Sequence, residues 1–250
     1  HRIVLDGAEW DEFLAAGASV ADAEVTARLQ RLRGEDVADI LFTSGTTGQP
    51  KGVMSSHAQN IRVFDAWATV VGLAHGDRYL IVNPFFHAFG YKAGWLACLL
   101  RGATILPLAV FDADVVLQRI VEDRISVLPG APTLFQSLLT NWERTPVDVS
   151  SLRLAVTGAA SVPVALIERM RSELGFRTVI TGYGLTESTG CVSMCRPGDS
   201  PERIARTCVA PIPGVEVRVV DEAGHEAPRN SAGELQVRGS IVMKGYWKRP

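Results

Sequence analysis

From Ala38 onward the chain alternates two kinds of pattern. Short β-rich apolar runs at Asp39–Thr43, Tyr79–Val82, Ala103–Leu106, Ser126–Leu128, Leu152–Thr157 and Thr178–Ile180 predict strands. Between several of them, Ser56–Val71, Asp112–Asp123 and Pro163–Leu174 predict helices. The last of these shows why: Leu166, Ile167, Met170 and Leu174 share one helical face, while Glu168, Arg169, Arg171 and Glu173 point elsewhere. Pro163 is expected in the first helical turn, where its missing N–H costs nothing. Strands alternating with helices imply an α/β fold, with a mostly parallel sheet covered by helices on both faces.

The texture changes after Thr186. Val215–Val220 and Glu234–Arg238 alternate inward and outward residues, with turns at Pro213-Gly214 and around Glu222–Asn230, so a small antiparallel or barrel-like unit is expected. Three segments follow. Residues 1–36 are an approach with a helical patch at Asp22–Arg33, residues 37–190 the α/β unit, and residues 191–250 the start of the barrel.

The 250 residues carry a net charge of −2, which gives no general pull toward nucleic acid. Cys98, Cys191, Cys195 and Cys208 match no CxxC metal pattern and suit reduced thiols in a cytoplasmic protein. The uncharged stretch Ile125–Trp142 holds Pro129, Pro132, Gln136 and Asn141 and is not expected to span a membrane. No signal-peptide pattern opens the chain, and both ends read as cuts through a longer protein.

Chemistry concentrates after the apolar run Ile40-Leu-Phe42. Thr43-Ser44-Gly45-Thr46-Thr47-Gly48-Gln49-Pro50-Lys51-Gly52 holds four hydroxyls, three glycines and one lysine in ten residues. Glycines let backbone N–H groups approach phosphate oxygens, and hydroxyls and an ammonium add donors. It is not the usual P-loop, because Pro50 and Gly52 flank Lys51 where that motif needs Gly and Ser/Thr. By itself such a stretch also fits a plain surface loop.

A second donor-rich string, Thr181-Gly182-Tyr183-Gly184-Leu185-Thr186-Glu187, again follows a predicted strand. Gly182 and Gly184 leave room for a flat ring against Tyr183. Thr186 offers a hydroxyl, and Glu187 is either a hard oxygen ligand for Mg²⁺ or a solvated loop carboxylate. Glu234 and Arg238 read as structural. No Ser/His/Asp or Cys/His set is evident.

In order along the chain these strings, with Pro84-Phe-Phe-His87, Thr157-Gly158-Ala159-Ala160-Ser161, Gly233-Glu-Leu-Gln-Val-Arg-Gly239 and Gly245-Tyr-Trp247, resemble the signatures of the adenylate-forming superfamily. That superfamily includes acyl-CoA synthetases, peptide-synthetase adenylation domains and luciferases. The resemblance covers residue 36 to the end. It implies an ATP site built from Thr43, Ser44, Gly45, Thr46, Thr47, Gly48, Lys51, Gly158, Ala159, Ala160, Gly182, Tyr183, Gly184, Leu185 and Thr186. Lys51, Thr186 and Glu187 would be the catalytic groups, and Glu187 the Mg²⁺ ligand. His87, Phe89, Gly90, Lys92, Gly158 and Gly182 would border the acyl group.

The implied reaction joins a carboxylic acid to ATP as an acyl-adenylate, which the thiol of coenzyme A then attacks. A homodimer is left open. The run Tyr79–Gly94 and Leu154–Ala160 resemble actinobacterial synthetases of steroid-ring catabolism, which implies a bicyclic, ketone-bearing propanoate. Medium-chain fatty acid and arylpropenoate ligases are the alternatives. The family's ribose-binding Asp, its C-terminal lid domain and that domain's lysine do not occur in these residues, so the chain alone is expected to be inactive, and a non-catalytic binding fragment is the alternative class. A peptide-synthetase domain should place an acidic partner within Pro84–Gly94, and none is there. Lys92, on the apolar helical stretch Tyr91–Leu100, is expected to donate to a substrate ketone or anchor the pocket wall, or else to pack its stem and send its head to water.

Overall fold

The computed structural model describes residues 7–43, 49–158 and 160–249. They form two units that divide between Asp36 and Val37. The first contains helices Ala8–Gly17 and Asp22–Arg31.

The second unit is built on a seven-stranded sheet. Its strands are β3 (Arg78–Ile81), β4 (Thr104–Pro107), β5 (Val127–Gly130), β6 (Leu154–Gly158), β7 (Thr178–Tyr183), β8 (Ser193–Met194) and β9 (Ala210–Pro211), in the order β4-β3-β5-β6-β7-β8-β9. The first five in that order are parallel; β8 and β9 add antiparallel. These last two lie beyond residue 190 yet extend the same sheet.

Right-handed crossovers decide which face each helix covers. The chain runs from β3 outward to β4, then turns back through β5, β6 and β7. The helices after β4, namely Ala113–Glu122, Pro132–Arg144 and Val164–Ser172, therefore share one face and pack side by side. The helical stretch at 88–101 lies on the other, beside helix His57–Val71. Both faces are sealed by apolar side chains such as Tyr79, Leu128, Phe135, Ile167 and Phe176, all at most 1% exposed.

Local signals explain several boundaries. Ser56 and Gln59 form a reciprocal capping box at the start of helix His57–Val71, and Gly72 closes it in the left-handed region. Asp112 caps helix Ala113–Glu122 by accepting from Asp114 N and Val115 N. Pro163 is not in the first turn as expected. Its extended backbone (ψ 140°) makes it the N-cap of Val164–Ser172.

One predicted strand belongs elsewhere. β1 (Val37–Thr43) takes no part in the parallel sheet and pairs antiparallel with β2 (Lys51–Ser56), from Val37 opposite Ser56 to Thr43 opposite Lys51. Strands close in sequence pair antiparallel, whereas a parallel partner needs a long crossover. β12 (Gly245–Tyr246) adds to the free edge of β2. β10 (Val215–Val220) and β11 (Glu234–Gly239) form the antiparallel pair that the alternation predicts. There Arg238 pairs with Glu216 across the strands rather than with Glu234.

Candidate active site

In open α/β sheets ligands sit beyond the carboxyl ends of the strands. The carboxyl ends of β6 and β7, the turn after β3 and the β1–β2 hairpin meet at one cavity of about 1070 Å³. Thr43 and Lys51 stand opposite each other in the hairpin register and both line it. Gly158 and Ala160 line it from the end of β6; Gly182, Tyr183, Gly184, Leu185, Thr186 and Glu187 line it from the end of β7. His87 and Phe89 close the side below β3. Ser44, Gly45, Thr46, Thr47, Gly48 and Ala159 lie outside the described residues.

The turn carrying Thr186 and Glu187 is tightly fixed. Ser188 N and Gly190 N donate to Leu185 O at 3.0 and 2.9 Å, and Leu185 N donates to Ser188 Oγ at 2.9 Å. A Cβ on Gly184 would lie 2.3 Å from Gly190 O, so this turn closes only with glycine there. The buried Thr189 hydroxyl donates to Ile241 O at 2.7 Å, and Glu187 O accepts from Met243 N at 2.8 Å. The 241–247 segment is thereby tied to the turn.

Glu187 Oε1 accepts from the Tyr246 hydroxyl at 2.9 Å. This hydrogen bond to the carboxylate, with lesser contributions from burial and the carboxylate's charge, raises the Tyr246 pKa. Its ring lies under the Lys51 ammonium, 5.4 Å from Nζ to the centroid. The second oxygen of Glu187 takes no hydrogen bond among the described residues. No group of three or more His, Cys, Asp or Glu able to hold a metal occurs among them either. One carboxylate with a free oxygen, beside a threonine hydroxyl, fits Mg²⁺, which keeps several waters and takes its remaining ligands from substrate phosphates.

His87 begins the helical stretch. Its Nδ1 accepts from Phe89 N at 3.1 Å, which in the neutral ring leaves Nε2–H as a donor. Gly90 does not line the cavity. It packs where a Cβ would stand 2.2 Å from Pro84 O, and so fixes the turn that presents His87.

Lys92 is not at the cavity either, and its head does not reach water. It is fully buried, with Nζ 3.2 Å from Asp39 Oδ1 and 3.1 Å from Ser55 Oγ. Burial pushes its pKa down, and Asp39 opposes that shift. Lys92 stands in a π-helical turn over Tyr91–Leu96 whose backbone is non-helical at Gly94 (ψ −108°). Lys92 thus joins the hairpin to the α/β body.

Part of the cavity lining is apolar. Phe64 and Trp67 from helix His57–Val71, with Ala88, Ala93, Cys191 and Ile204, make its wall. Thr207 and Cys208 border it as well.

A protein-family model described as AMP-binding enzyme matches residues 1–247. This chain belongs to that family. The 3-[(3aS,4S,7aS)-7a-methyl-1,5-dioxo-octahydro-1H-inden-4-yl]propanoyl:CoA ligase of Rhodococcus jostii (strain RHA1) is 48% identical over 257 residues, covering 100% of this chain and 48% of that protein. The ligase of the same name from Mycobacterium tuberculosis (strain ATCC 25618 / H37Rv) is 50% identical over 241 residues, 96% of this chain and 45% of that one. The chain spans about half the length of these curated relatives. Among solved structures, o-succinylbenzoate coenzyme A synthetase (MenE) from Bacillus subtilis in complex with ATP and magnesium ion superposes with a TM-score of 0.77 at 29% identity. That match covers 87% of this chain and 44% of the other.

In this member of the AMP-binding family, sequence reasoning missed Phe64, Trp67 and Tyr246. Phe64 and Trp67 lie three apart on an amphipathic helix, a spacing that cannot separate cavity wall from core. Tyr246 was visible only as the centre of Gly245-Tyr-Trp247, with no chemistry attached.

Proposed function

We propose that the protein containing this chain activates a carboxylic acid with ATP and passes the acyl group to coenzyme A. One observation carries the reading: a single cavity joins Lys51, Thr186 and Glu187 to an apolar chamber walled by Phe64 and Trp67. A carboxylate is ionised well above pH ~4, so it attacks without a general base. One of its oxygens bonds to the α-phosphorus of ATP, the bond from that phosphorus to the bridging oxygen breaks, and pyrophosphate leaves. The thiol sulfur of coenzyme A then bonds to the acyl carbon, its proton is released, and AMP departs.

Two anions must meet in the first step, and donors placed before reaction reduce that repulsion. Lys51 supplies a cation, Thr186 a hydroxyl and His87 an Nε2–H donor at the cavity wall. Mg²⁺, held by Glu187 together with phosphate oxygens, would supply further charge neutralisation. The flat Tyr183 side chain, between Gly182 and Gly184, suits an adenine ring. The relatives' names support a bicyclic dioxo propanoate as the acid; medium-chain and arylpropenoate acids are the alternatives.

Acid-dependent ATP–pyrophosphate exchange by the full-length protein tests the reading. Exchange that rises only on adding a carboxylic acid, and most with the bicyclic keto-acid, is the expected result. Exchange with no acid dependence would refute it.

A further inference from the structure

Lys51 and Glu187 carry opposite charges at one end of one cavity, yet they form no ion pair with each other among the described residues. What stands between them is Tyr246. Its ring meets the ammonium and its hydroxyl meets the carboxylate.

The backbone fixes this placement. Tyr246 on β12 pairs directly with Val53 of β2. Side chains two apart on a strand share a face, so Lys51 and Val53 project to the same side, and Tyr246 lies diagonal to Lys51. Lys244 N donates to Met54 O at 3.0 Å and Trp247 N to Gly52 O at 2.7 Å, which holds the strand on either side of the ring. On the far side, Met243 N and Ile241 O bind the turn that carries Glu187.

We propose that Tyr246 is a positioning residue for the phosphate-binding end of the site. Its ring holds Lys51, its hydroxyl holds one oxygen of Glu187, and its bulk keeps the two charges from pairing before nucleotide arrives. A direct Lys51–Glu187 pair would occupy the groups meant for phosphate and metal. With Oε1 engaged by the hydroxyl, the other oxygen of Glu187 is oriented outward. Partners that orient a ligating carboxylate strongly affect metal affinity. This inference rests on the proposed roles of Lys51 and Glu187 toward ATP and Mg²⁺.

The test uses the full-length protein, with Mn²⁺ as the metal probe and water-proton relaxation as the readout at saturating ATP. ATP affinity without metal is measured by calorimetry in EDTA. Tyr246→Phe keeps the ring and removes the hydroxyl; it should weaken Mn²⁺ binding about tenfold while metal-free ATP affinity and melting temperature hold. Tyr246→Leu also removes the ring, and metal-free ATP affinity should then fall about fivefold as well. Mn²⁺ affinity unchanged in Tyr246→Phe would overturn the inference. So would equal losses of both affinities in the two variants, the signature of a merely structural tyrosine. A wild-type protein that binds ATP but no Mn²⁺ would instead overturn the metal role of Glu187.

Discussion

The ammonium of Lys92 lies 3.2 Å from the carboxylate of Asp39, with the lysine side chain wholly shielded from water. Asp39 sits on β1 and also accepts from Asn60 of helix His57–Val71, so three elements meet at one buried charge pair. Removing one member of such a pair strands the other. Lys92→Met should therefore cost about 3 kcal/mol of stability, read from urea unfolding, with part recovered by adding Asp39→Asn. Because Lys92 does not border the cavity, kcat/KM for a keto-acid and for a plain alkyl acid should change by the same factor, within about twofold. A selective loss for the keto-acid would return Lys92 to the substrate.

Glu187→Gln separates chemistry from folding. The amide oxygen can still accept from Tyr246, so stability should fall by less than about 1 kcal/mol. Loss of the negative ligand should slow pyrophosphate exchange at saturating Mg²⁺ about a hundredfold or more. Undiminished exchange in the variant contradicts the metal assignment.

Much of this was legible in the sequence, and the gaps have physical causes. Strong amphipathic faces announced helices such as Val164–Ser172, and a string rich in glycine and hydroxyls announced the turn at the end of β7. Helix Pro132–Arg144 was missed because Pro132, Thr133, Ser137, Thr140 and Asn141 favour helix weakly and no charged face marks its outer side before Glu143. Lys92 was set at the acyl group because a lone cation on an uncharged helical stretch does not show which acceptor it meets, and its partner Asp39 lies on another element. Asp39 and Tyr246 depend on contacts between residues 53 and 59 positions apart, which no local pattern reports.

At the opposite end of the sheet, Asp77 accepts from Ala74 N at 2.9 Å, Ser126 Oγ at 2.8 Å and Arg153 Nε at 2.7 Å. Burial alone would raise its pKa; those hydrogen bonds and the Arg153 charge outweigh burial and hold it below the usual carboxylate value. A folded pKa below the unfolded one stabilises above about pH 4, and the benefit is lost as pH falls through the folded value. Asp77→Asn should lower stability by about 2 kcal/mol at neutral pH, and the gap from wild type should narrow as pH drops below about 4. Urea midpoints across that range check both statements.

Gly184 and Gly182 should respond differently to alanine. At Gly184 the added Cβ meets Gly190 O at 2.3 Å and Cys191 Cα at 2.7 Å, both backbone atoms. At Gly182 the nearest atoms, Met194 Cγ and Ser193 O, are 3.4 Å away. Gly184→Ala should destabilise by about 2 kcal/mol or more and displace the Thr186–Glu187 turn, whereas Gly182→Ala should melt within a few degrees of wild type. Calorimetric melting curves of the two variants decide this.

In the proposed reaction a substrate carboxylate oxygen bonds to the α-phosphorus of ATP in this cavity. Supply the full-length protein with acid labelled with heavy oxygen in its carboxylate, ATP, Mg²⁺ and coenzyme A, and measure the mass of the released AMP. The account predicts one labelled oxygen in AMP and none in pyrophosphate. Label appearing in inorganic phosphate alongside ADP, or AMP without label, would contradict it.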